Sequence, residues 1–565
     1  MFVEPQDNNL MVEKQTGTAN EKEFSRPDML KLVQKKGTTA DTVGSLQVYG
    51  TAGETITLPF QIASEEEVQE FRLNTFDSAA NNSEILVDLF VAKTWQTAGV
   101  GIYQSKPMLV EELLLKDDRI SLKDSYRKSA NSWRDVFKPI SLYVAPKLPD
   151  HNDVRTTLLP NQSKSFVARI KIADNAKPVT HTTILTGTTN GKNVLQVSIR
   201  IDVKSMQLLD PPQDFFIWYK GRLDRHCPQH YVSEELLELQ MLDIFEHGFN
   251  GISIGETDTE LAQKAIDIAE RIGFEKIVLM PPFPELIKLK FRKAQPIVYL
   301  SDELDMHVEF AEKEKPEALI AYHQLNFTRA KTVNGAVTMA SLLNHTFVKR
   351  FQNAEDIGHA PEITSLYLNR NKEYLQFIEQ LKQSVTSKLF YYWQCFMEKP
   401  SLNRVLAGAY LWKSGAAGIS PYCYQHMPVY PNSPFNDFDE WEPDFHESGI
   451  DRPFKDHMTT YPARNGVIPT LQWEALRDGI TDFKYWFTLH HWIEKGLTSQ
   501  KEEAIALAEA AQRRSDAVLS RIDLIKIAIN SETEQEPYRD IAPHEYEEFR
   551  NQLRDDIQAL TAVLG

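Results

Sequence analysis

Two patterns of apolar and polar positions divide the chain. From about residue 41 to 205, short runs alternate with a period of two, and Gly, Asn, Asp and Pro fall between them. Leu46-Gln47-Val48-Tyr49, Thr55-Ile56-Thr57-Leu58-Pro59-Phe60 and Val194-Leu195-Gln196-Val197-Ser198-Ile199-Arg200-Ile201 are examples. Alternation of this kind with closely spaced turns predicts a β-sandwich. After the stiff Asp210-Pro211-Pro212 break the pattern changes to short continuous apolar runs separated by helical stripes. Continuous apolar runs are expected of strands buried on both faces. They predict strands at 215–219, 251–254, 276–280, 297–300, 319–322, 363–368, 388–393 and 416–422.

Helices are predicted between these strands. One covers 234–247, with Ser233 as N-cap and Gly248 at its end, and another covers 260–272, with Leu261, Ala265, Ile268, Ala269 and Ile272 on one face. Further helical stretches are predicted at 306–315, 337–351, 374–385 and 403–412. Eight such units imply an α/β chain whose centre is a (β/α)8 TIM barrel, preceded by an all-β sandwich and followed by a helical C-terminal segment. A doubly wound open sheet is the alternative, but no GxGxxG turn follows any strand. The expected divisions are an N-terminal arm at 1–40, a sandwich at 41–208, a barrel at 209–492 and a helical segment at 493–565.

Composition narrows the function classes. The 565 residues carry a net charge of −17, which disfavours a nucleic-acid binder or an anionic-membrane binder. No apolar run is long enough for a membrane span, so no membrane insertion is expected. The start, Met1-Phe2-Val3-Glu4-Pro5, shows no signal peptide, and by sequence alone the expectation is cytoplasmic. Three cysteines, Cys227, Cys395 and Cys423, give no disulfide framework. No P-loop, GxSxG elbow or HExxH helix is present, and neither a cofactor nor a metal is called for.

Chemistry enters at Ser301-Asp302-Glu303, directly after the predicted fourth strand. In a parallel barrel the C-terminal ends of the strands carry the reacting groups. Two carboxylates there suit sugar chemistry: one protonates a leaving oxygen and the other stabilises positive charge. The competing reading is a helix N-terminus with Asp302 as its cap. The other predicted strand ends supply Trp218, Tyr219, Arg222 and Asp224; Tyr322 and His323; Asn369 and Arg370; Tyr392, Trp393 and Gln394; and Tyr422 and Tyr424. Aromatic rings offer stacking walls to a pyranose, while amides and Arg bind hydroxyls. The acidic stretch 436–447 reads as a solvated or substrate-rimming loop. His490 and His491, adjacent on a helix, read as structural. Cys395 and Cys423 follow strands, with no His clearly placed to activate either.

The stretch 461–485 contains Tyr461-Pro462 and then Glu474-Ala475-Leu476-Arg477-Asp478-Gly479-Ile480. It resembles the signature that closes the catalytic barrel of family-123 glycoside hydrolases and their uncharacterised relatives, and the resemblance extends over about 41–490. The sequence departs from the family pattern at two places. Leu304 stands where a Pro usually follows the carboxylate pair, and Gln472 stands where an Arg is common. The resemblance implies a retaining, substrate-assisted hydrolysis of a β-linked 2-acetamido sugar, typically N-acetylgalactosamine, within an oligo- or polysaccharide. Asp302 would orient the acetamido N–H and stabilise the oxazolinium charge, and Glu303 would protonate the leaving oxygen. Tyr322 or Tyr392 would reach the acetamido oxygen. Two other readings stay open: a carbohydrate-binding or structural protein without catalysis on the same fold, and a glycosidase acting on a sugar without a 2-acetamido group, in which a partner such as Asp224 would matter more. The oligomeric state is left open.

Overall fold

A computed structural model describes residues 31–34, 44–76, 84–98, 107–120, 126–129, 140–143, 146–227, 230–303, 316–343, 360–368, 388–395, 399–425, 458–524, 526–527 and 543–565. The predicted helices at 306–315 and 374–385, the acidic stretch 436–447, and Asn369 and Arg370 lie outside the described residues.

The alternating region forms two five-stranded sheets. One contains, in order, β1 (Lys31–Gln34), β3 (Thr55–Ser64), β10 (Gln162–Ile172), β5 (Ile85–Ala98) and β6 (Pro107–Leu115). The other contains β2 (Gly44–Thr51), β12 (Lys192–Lys204), β11 (Thr180–Thr189), β4 (Val68–Phe76) and β9 (Val154–Leu158). A small hairpin, β7 (Tyr126–Ser129) with β8 (Ile140–Tyr143), stands apart. In β3 every second residue is buried, so one face of the strand meets the core and the other meets water. Phe60 stacks on Phe166 at 5.6 Å between ring centroids, and Phe71 meets Phe166 edge-on, at the centre of that core. β1 falls within the stretch expected as an arm, and it pairs in parallel with β3.

Eight parallel strands close the barrel: β13 (Asp214–Ile217), β14 (Gly251–Ile254), β15 (Lys276–Leu279), β16 (Gln295–Ser301), β17 (Val337–Leu342), β18 (Ile363–Tyr367), β19 (Lys388–Tyr392) and β20 (Gly418–Ile419). Alternate residues divide between two apolar layers. Phe216, Val278, Ile297, Tyr299, Met339, Ile363 and Phe390 fill the interior, whereas Phe215, Ile217, Ile252, Val298, Leu300 and Tyr391 face the helices. The helices α1 (Glu234–Glu246) and α2 (Thr259–Ile272) begin at side-chain caps. Ser233 accepts from the Leu236 N–H, and Asp258 accepts from the N–H groups of Glu260 and Leu261.

One unit departs from expectation. Residues 319–322, predicted as the fifth strand, lie inside helix α3 (Pro316–Ala330), and the fifth strand is β17, within a stretch predicted as helical. A short apolar run reads equally as a strand or as a turn of buried helix. Here Ile320, His323, Phe327 and Ala330 recur every three or four residues and turn inward, which selects the helix.

A second apolar-strand boundary, β21 (Tyr461–Ala463) with β22 (Gly466–Ile468), leads into the 27-residue helix α6 (Leu471–Leu497). Before it in the chain, α4 (Pro400–Val405), a π-helical turn (Leu406–Tyr410) and α5 (Leu411–Ser414) run on as one helix. α7 (Glu502–Ser520) and α8 (Pro543–Leu564) pack on α6 through Ala508, Ala511, Leu553 and Ile557. No helix among the described residues is long and apolar enough to cross a membrane.

Buried charges on α6 tie the three parts together. Glu474 pairs with Arg169 of β10 and with Arg477, and His247 Nε2 lies 3.6 Å from it. Asp482 receives Arg404 Nε at 2.6 Å and Arg550 Nε at 2.7 Å. Tyr485 donates to Glu54 of the sandwich at 2.8 Å. Gly479 sits where α6 crosses α4, and a Cβ there would approach the Arg404 carbonyl to 2.4 Å. The Glu474-to-Gly479 signature is therefore architectural, with its side chains at the junctions and none at the barrel mouth.

Removing one partner of a fully buried ion pair strands the others. Glu474→Gln is expected to destabilise the protein by about 3–5 kcal/mol in chemical denaturation. Breaking the more exposed Arg521–Glu545 pair should cost no more than about 1 kcal/mol. Burial would raise the Glu474 pKa, but Arg169 and Arg477 hold it well below the ordinary carboxylate range. Its stabilisation is then complete above the unfolded value of about 4.3 and is lost as pH falls further. The acid slope of stability, measured by denaturation between about pH 5 and 2, should be shallower in Glu474→Gln.

Candidate active site

The C-terminal rim of the barrel holds the carboxylate pair, and local irregularity in β16 aims it. Tyr299 is paired with Met339 of β17, but Ser301 is paired with Ala340, so the register slips by one residue at Leu300. A bulge of this kind re-aims the residues that follow it. Without the slip, Ser301 would follow Ile297 and Tyr299 into the interior. With it, Ser301 faces the helix layer, where its hydroxyl lies 2.9 Å from His323 Nδ1, and Asp302 falls on the Tyr299 side. The Tyr299 hydroxyl donates to Asp302 Oδ1 at 2.6 Å.

Glu303 reaches the mouth by a different route. Its φ is +43°, in the left-handed region. That conformation costs an ordinary residue about 1 kcal/mol and is concentrated at functional sites. The turn sends the side chain across the barrel, where Tyr392, at the end of β19, donates to Glu303 Oε1 at 2.5 Å. Tyr392 packs against Tyr367, with ring centroids 5.1 Å apart. The two adjacent carboxylates thus occupy different surroundings, Asp302 exposed and Glu303 half-buried, each with its own tyrosine. Burial, followed by the nearby carboxylates, raises both tyrosine pKa values well above the usual range. Both therefore act as neutral donors.

The predicted aromatic partners divide according to the faces of their strands. Trp218 points inward, with its ring 4.8 Å from that of Tyr299 and its indole N–H donating to the Ser420 carbonyl. Tyr392 and the half-buried Tyr422 also lie on the inner side. Tyr219, Trp393 and Tyr424 do not. Tyr219 donates to Gln240 on α1, Trp393 donates to Asn403 on α4, and Tyr424 donates to Asp243 on α1. Each of the first two is the sequence neighbour of an inward residue and so faces the opposite way. Tyr322 lies exposed on α3 rather than at a strand end, and His323 is buried beneath the rim. Asp224 accepts from the His226 N–H within the loop after β13, which leaves it in a local turn.

The structure adds Tyr299, Tyr367 and Glu256 to the residues read from sequence, and gives Ser301 a partner in His323. Tyr299 was legible only as an apolar strand residue, because its role depends on the bulge after it. Glu256, just beyond β14, is buried, and one of its oxygens accepts from the Leu223 N–H. Cys395 and Cys423 are buried cysteines outside any disulfide, and burial holds the Cys395 pKa well above the ordinary value, which does not suit a nucleophile. Gln472, one of the two departures from the family pattern, donates to Glu112 of the sandwich at 2.6 Å, away from the mouth. No group of three or more His, Cys, Asp or Glu side chains suited to a metal ion occurs among the described residues.

The fold is similar to that of a family 123 glycoside hydrolase from Clostridium perfringens, studied for glycolipid glycan hydrolysis. The TM-score is 0.53 at 11% identity, over 91% of this chain and 95% of that one. The likeness takes in the sandwich, the barrel and the helical segment together, and it is a likeness of fold. A family 39 glycoside hydrolase from Bacteroides cellulosilyticus WH2 is similar at a TM-score of 0.32 and 10% identity, over 60% of this chain and 76% of that one. A GH5 xyloglucanase from Bacteroides ovatus is similar at 0.27 and 9%, over 77% and 98%. At those scores neither adds to the assignment. No protein-family model matches the chain. No curated protein matches it in sequence.

His323→Ala would leave the Ser301 hydroxyl without this buried partner, and is expected to cost about 1–3 kcal/mol in thermal or chemical denaturation. Tyr322→Ala, on the exposed face of α3, should change stability by no more than about 0.5 kcal/mol.

Proposed function

We propose that the protein is a glycoside hydrolase that cleaves a β-linked 2-acetamido sugar with assistance from the substrate itself. The observation that carries this reading is the pair Asp302 and Glu303 at the barrel mouth, each held by a separate tyrosine. Adjacent carboxylates in unlike surroundings suit unlike tasks. The overall likeness to a family 123 glycoside hydrolase supports the same class.

In this mechanism the acetamido oxygen of the sugar attacks the anomeric carbon. Asp302, oriented by Tyr299, accepts the acetamido N–H and faces the positive charge that spreads over the oxazolinium ring. Glu303 donates its proton to the departing glycosidic oxygen. Once the leaving group has gone, Glu303 takes a proton from water, and that water opens the ring at the anomeric carbon. The configuration is retained, because two displacements occur in succession. No carboxylate of the protein becomes bonded to the sugar, so the usual carboxylate separations do not apply. Tyr392 fixes the direction of Glu303 across the mouth. Trp218, packed against Tyr299, closes the floor beneath the ring. The partner is a carbohydrate containing an amino sugar.

Chromogenic β-N-acetylgalactosaminide and β-N-acetylglucosaminide test this directly. Wild-type protein should hydrolyse at least one, and a thiazoline mimic of the cyclic intermediate should inhibit competitively. Glu303→Gln should lower kcat by about 10²–10⁴-fold, the usual worth of general acid–base catalysis. Tyr392→Phe should lower kcat by about 10- to 100-fold, the worth of a hydrogen bond to a charged group. Equal turnover of the matching sugar with a 2-hydroxyl would refute substrate assistance. Sugar binding without turnover would identify a non-catalytic carbohydrate-binding protein.

A further inference from the structure

The loop after β13 runs against the charge of the molecule. Within a chain of net charge −17, residues 220–231 carry Lys220, Arg222 and Arg225 against the single carboxylate of Asp224. Backbone bonds brace this loop. Arg222 N–H donates to the His230 carbonyl at 2.7 Å, and Val232 N–H donates to the Arg222 carbonyl at 2.8 Å. Glu256 anchors it from β14 through the Leu223 N–H. The loop therefore presents its cations from a fixed frame.

Two of those cations stand on the rim that carries Tyr392 and Tyr422. Lys220 Nζ lies 5.0 Å from the centroid of the Tyr422 ring. Tyr422 is bridged to Gln394, two residues past Tyr392, whose hydroxyl reaches Glu303. No described carboxylate lies within 4.0 Å of Lys220. The Arg222 guanidinium lies over the backbone of Gly255 just beyond β14, where a Cβ would stand 3.1 Å from Nη2. Two carboxylates face the Arg222 side of the rim: Asp224, two residues on in the same loop, and the buried Glu256, whose pKa burial raises and the Arg222 charge lowers. His230, behind them, is pushed down to about 3 by burial and then by Lys220 and Arg222. It is neutral at working pH and adds no charge of its own. The positive field here comes from Lys220 and Arg222.

We propose that Lys220 and Arg222 form an anion subsite beside Tyr422, so that the glycan taken by this protein carries a sulfate ester or a carboxylate close to the bond that is cut. The inference rests on the hydrolase reading for its substrate, but the charge preference can be measured without turnover. An ammonium on a ring face and a guanidinium over a glycine backbone both keep donors open to an oxyanion. A sulfate or carboxylate on a sugar stacked near Tyr422 would meet both. A neutral sugar would leave Lys220 with no counter-ion among the described residues at a partly buried rim, so the field discriminates as well as attracts.

Titration calorimetry on the full-length Glu303→Gln protein separates the possibilities. The probes are a neutral β-linked 2-acetamido disaccharide, its 6-O-sulfate, and a disaccharide pairing the same sugar with a uronic acid. At least one charged probe should bind about tenfold more tightly than the neutral one at low salt, and the gap should narrow in about 0.5 M salt. The sulfate and uronate arms identify which anion is preferred. Adding Lys220→Met, which keeps an aliphatic stem on the Tyr422 ring and removes the charge, should reduce the ratio of charged to neutral affinity about fivefold or more. Equal affinities, or a gap that survives both salt and Lys220→Met, overturn the subsite. Hydrolysis of neutral chromogenic substrate by the wild-type protein with no charge gap overturns the subsite alone. A charge gap with no hydrolysis supports the subsite and overturns the hydrolase reading.

Discussion

Everything else in this molecule depends on keeping three buried carboxylates of one helix paired. Glu474, Asp478 and Asp482 lie along α6, and each would be costly in an apolar interior without a cation. Their partners come from elsewhere in the chain: Arg169 from the sandwich, Arg404 from the helix before β20, and Arg550 from the C-terminal helix. The barrel, the sandwich and the C-terminal segment can satisfy these charges only when docked together. Asp478 shows the balance most clearly. Burial raises its pKa in spite of the nearby arginines, whereas Glu474, with two arginines in contact, is held low. The close crossing at Gly479 adds a steric requirement to the electrostatic one.

That rigidity matters at the other end of the barrel. Placing two adjacent residues of one strand on the same side of a sheet runs against the pleat. The chain solves this twice within four residues, by a register slip at Leu300 and by a left-handed turn at Glu303. Both local costs are held by surrounding contacts. Asn326 of α3 donates to the Leu300 carbonyl at 2.9 Å, and His323 meets Ser301, so the helix following β16 supports the irregular strand end from outside. Tyr299 and Tyr392 support it from inside. The mouth is then asymmetric: Asp302 stays beside Tyr299 of β16, whereas Glu303 reaches across to Tyr392 of β19.

How much of this could be read along the chain depends on whether a property is periodic or paired. Alternation of apolar residues predicts sandwich strands such as β2, β3 and β12, and continuous apolar runs predict seven of the eight barrel strands, because burial repeats along each element. It fails at 319–322, where four apolar residues are too short to distinguish a strand from a helical turn, and only packing against β16 decides for α3. The Asp302–Glu303 pair is visible as chemistry at a strand end. Its separation into two environments is not, because that depends on Tyr392, 89 residues further on.

The aromatic residues make the same distinction. Trp218 and Tyr219, or Tyr392 and Trp393, look equally suited to a sugar wall when only proximity to a strand end is known. The closed barrel sends one of each pair inward and the other into the helix layer. Composition and pattern by themselves determined the layers, the order of the elements and the location of the carboxylates, since these follow from local hydrophobicity and chain direction. The tertiary structure alone decided which side chains share the mouth, because facing is set by strand register and by partners remote in sequence. It also turned the Glu474-to-Gly479 stretch from a mark of resemblance into the set of buried contacts that holds the architecture together.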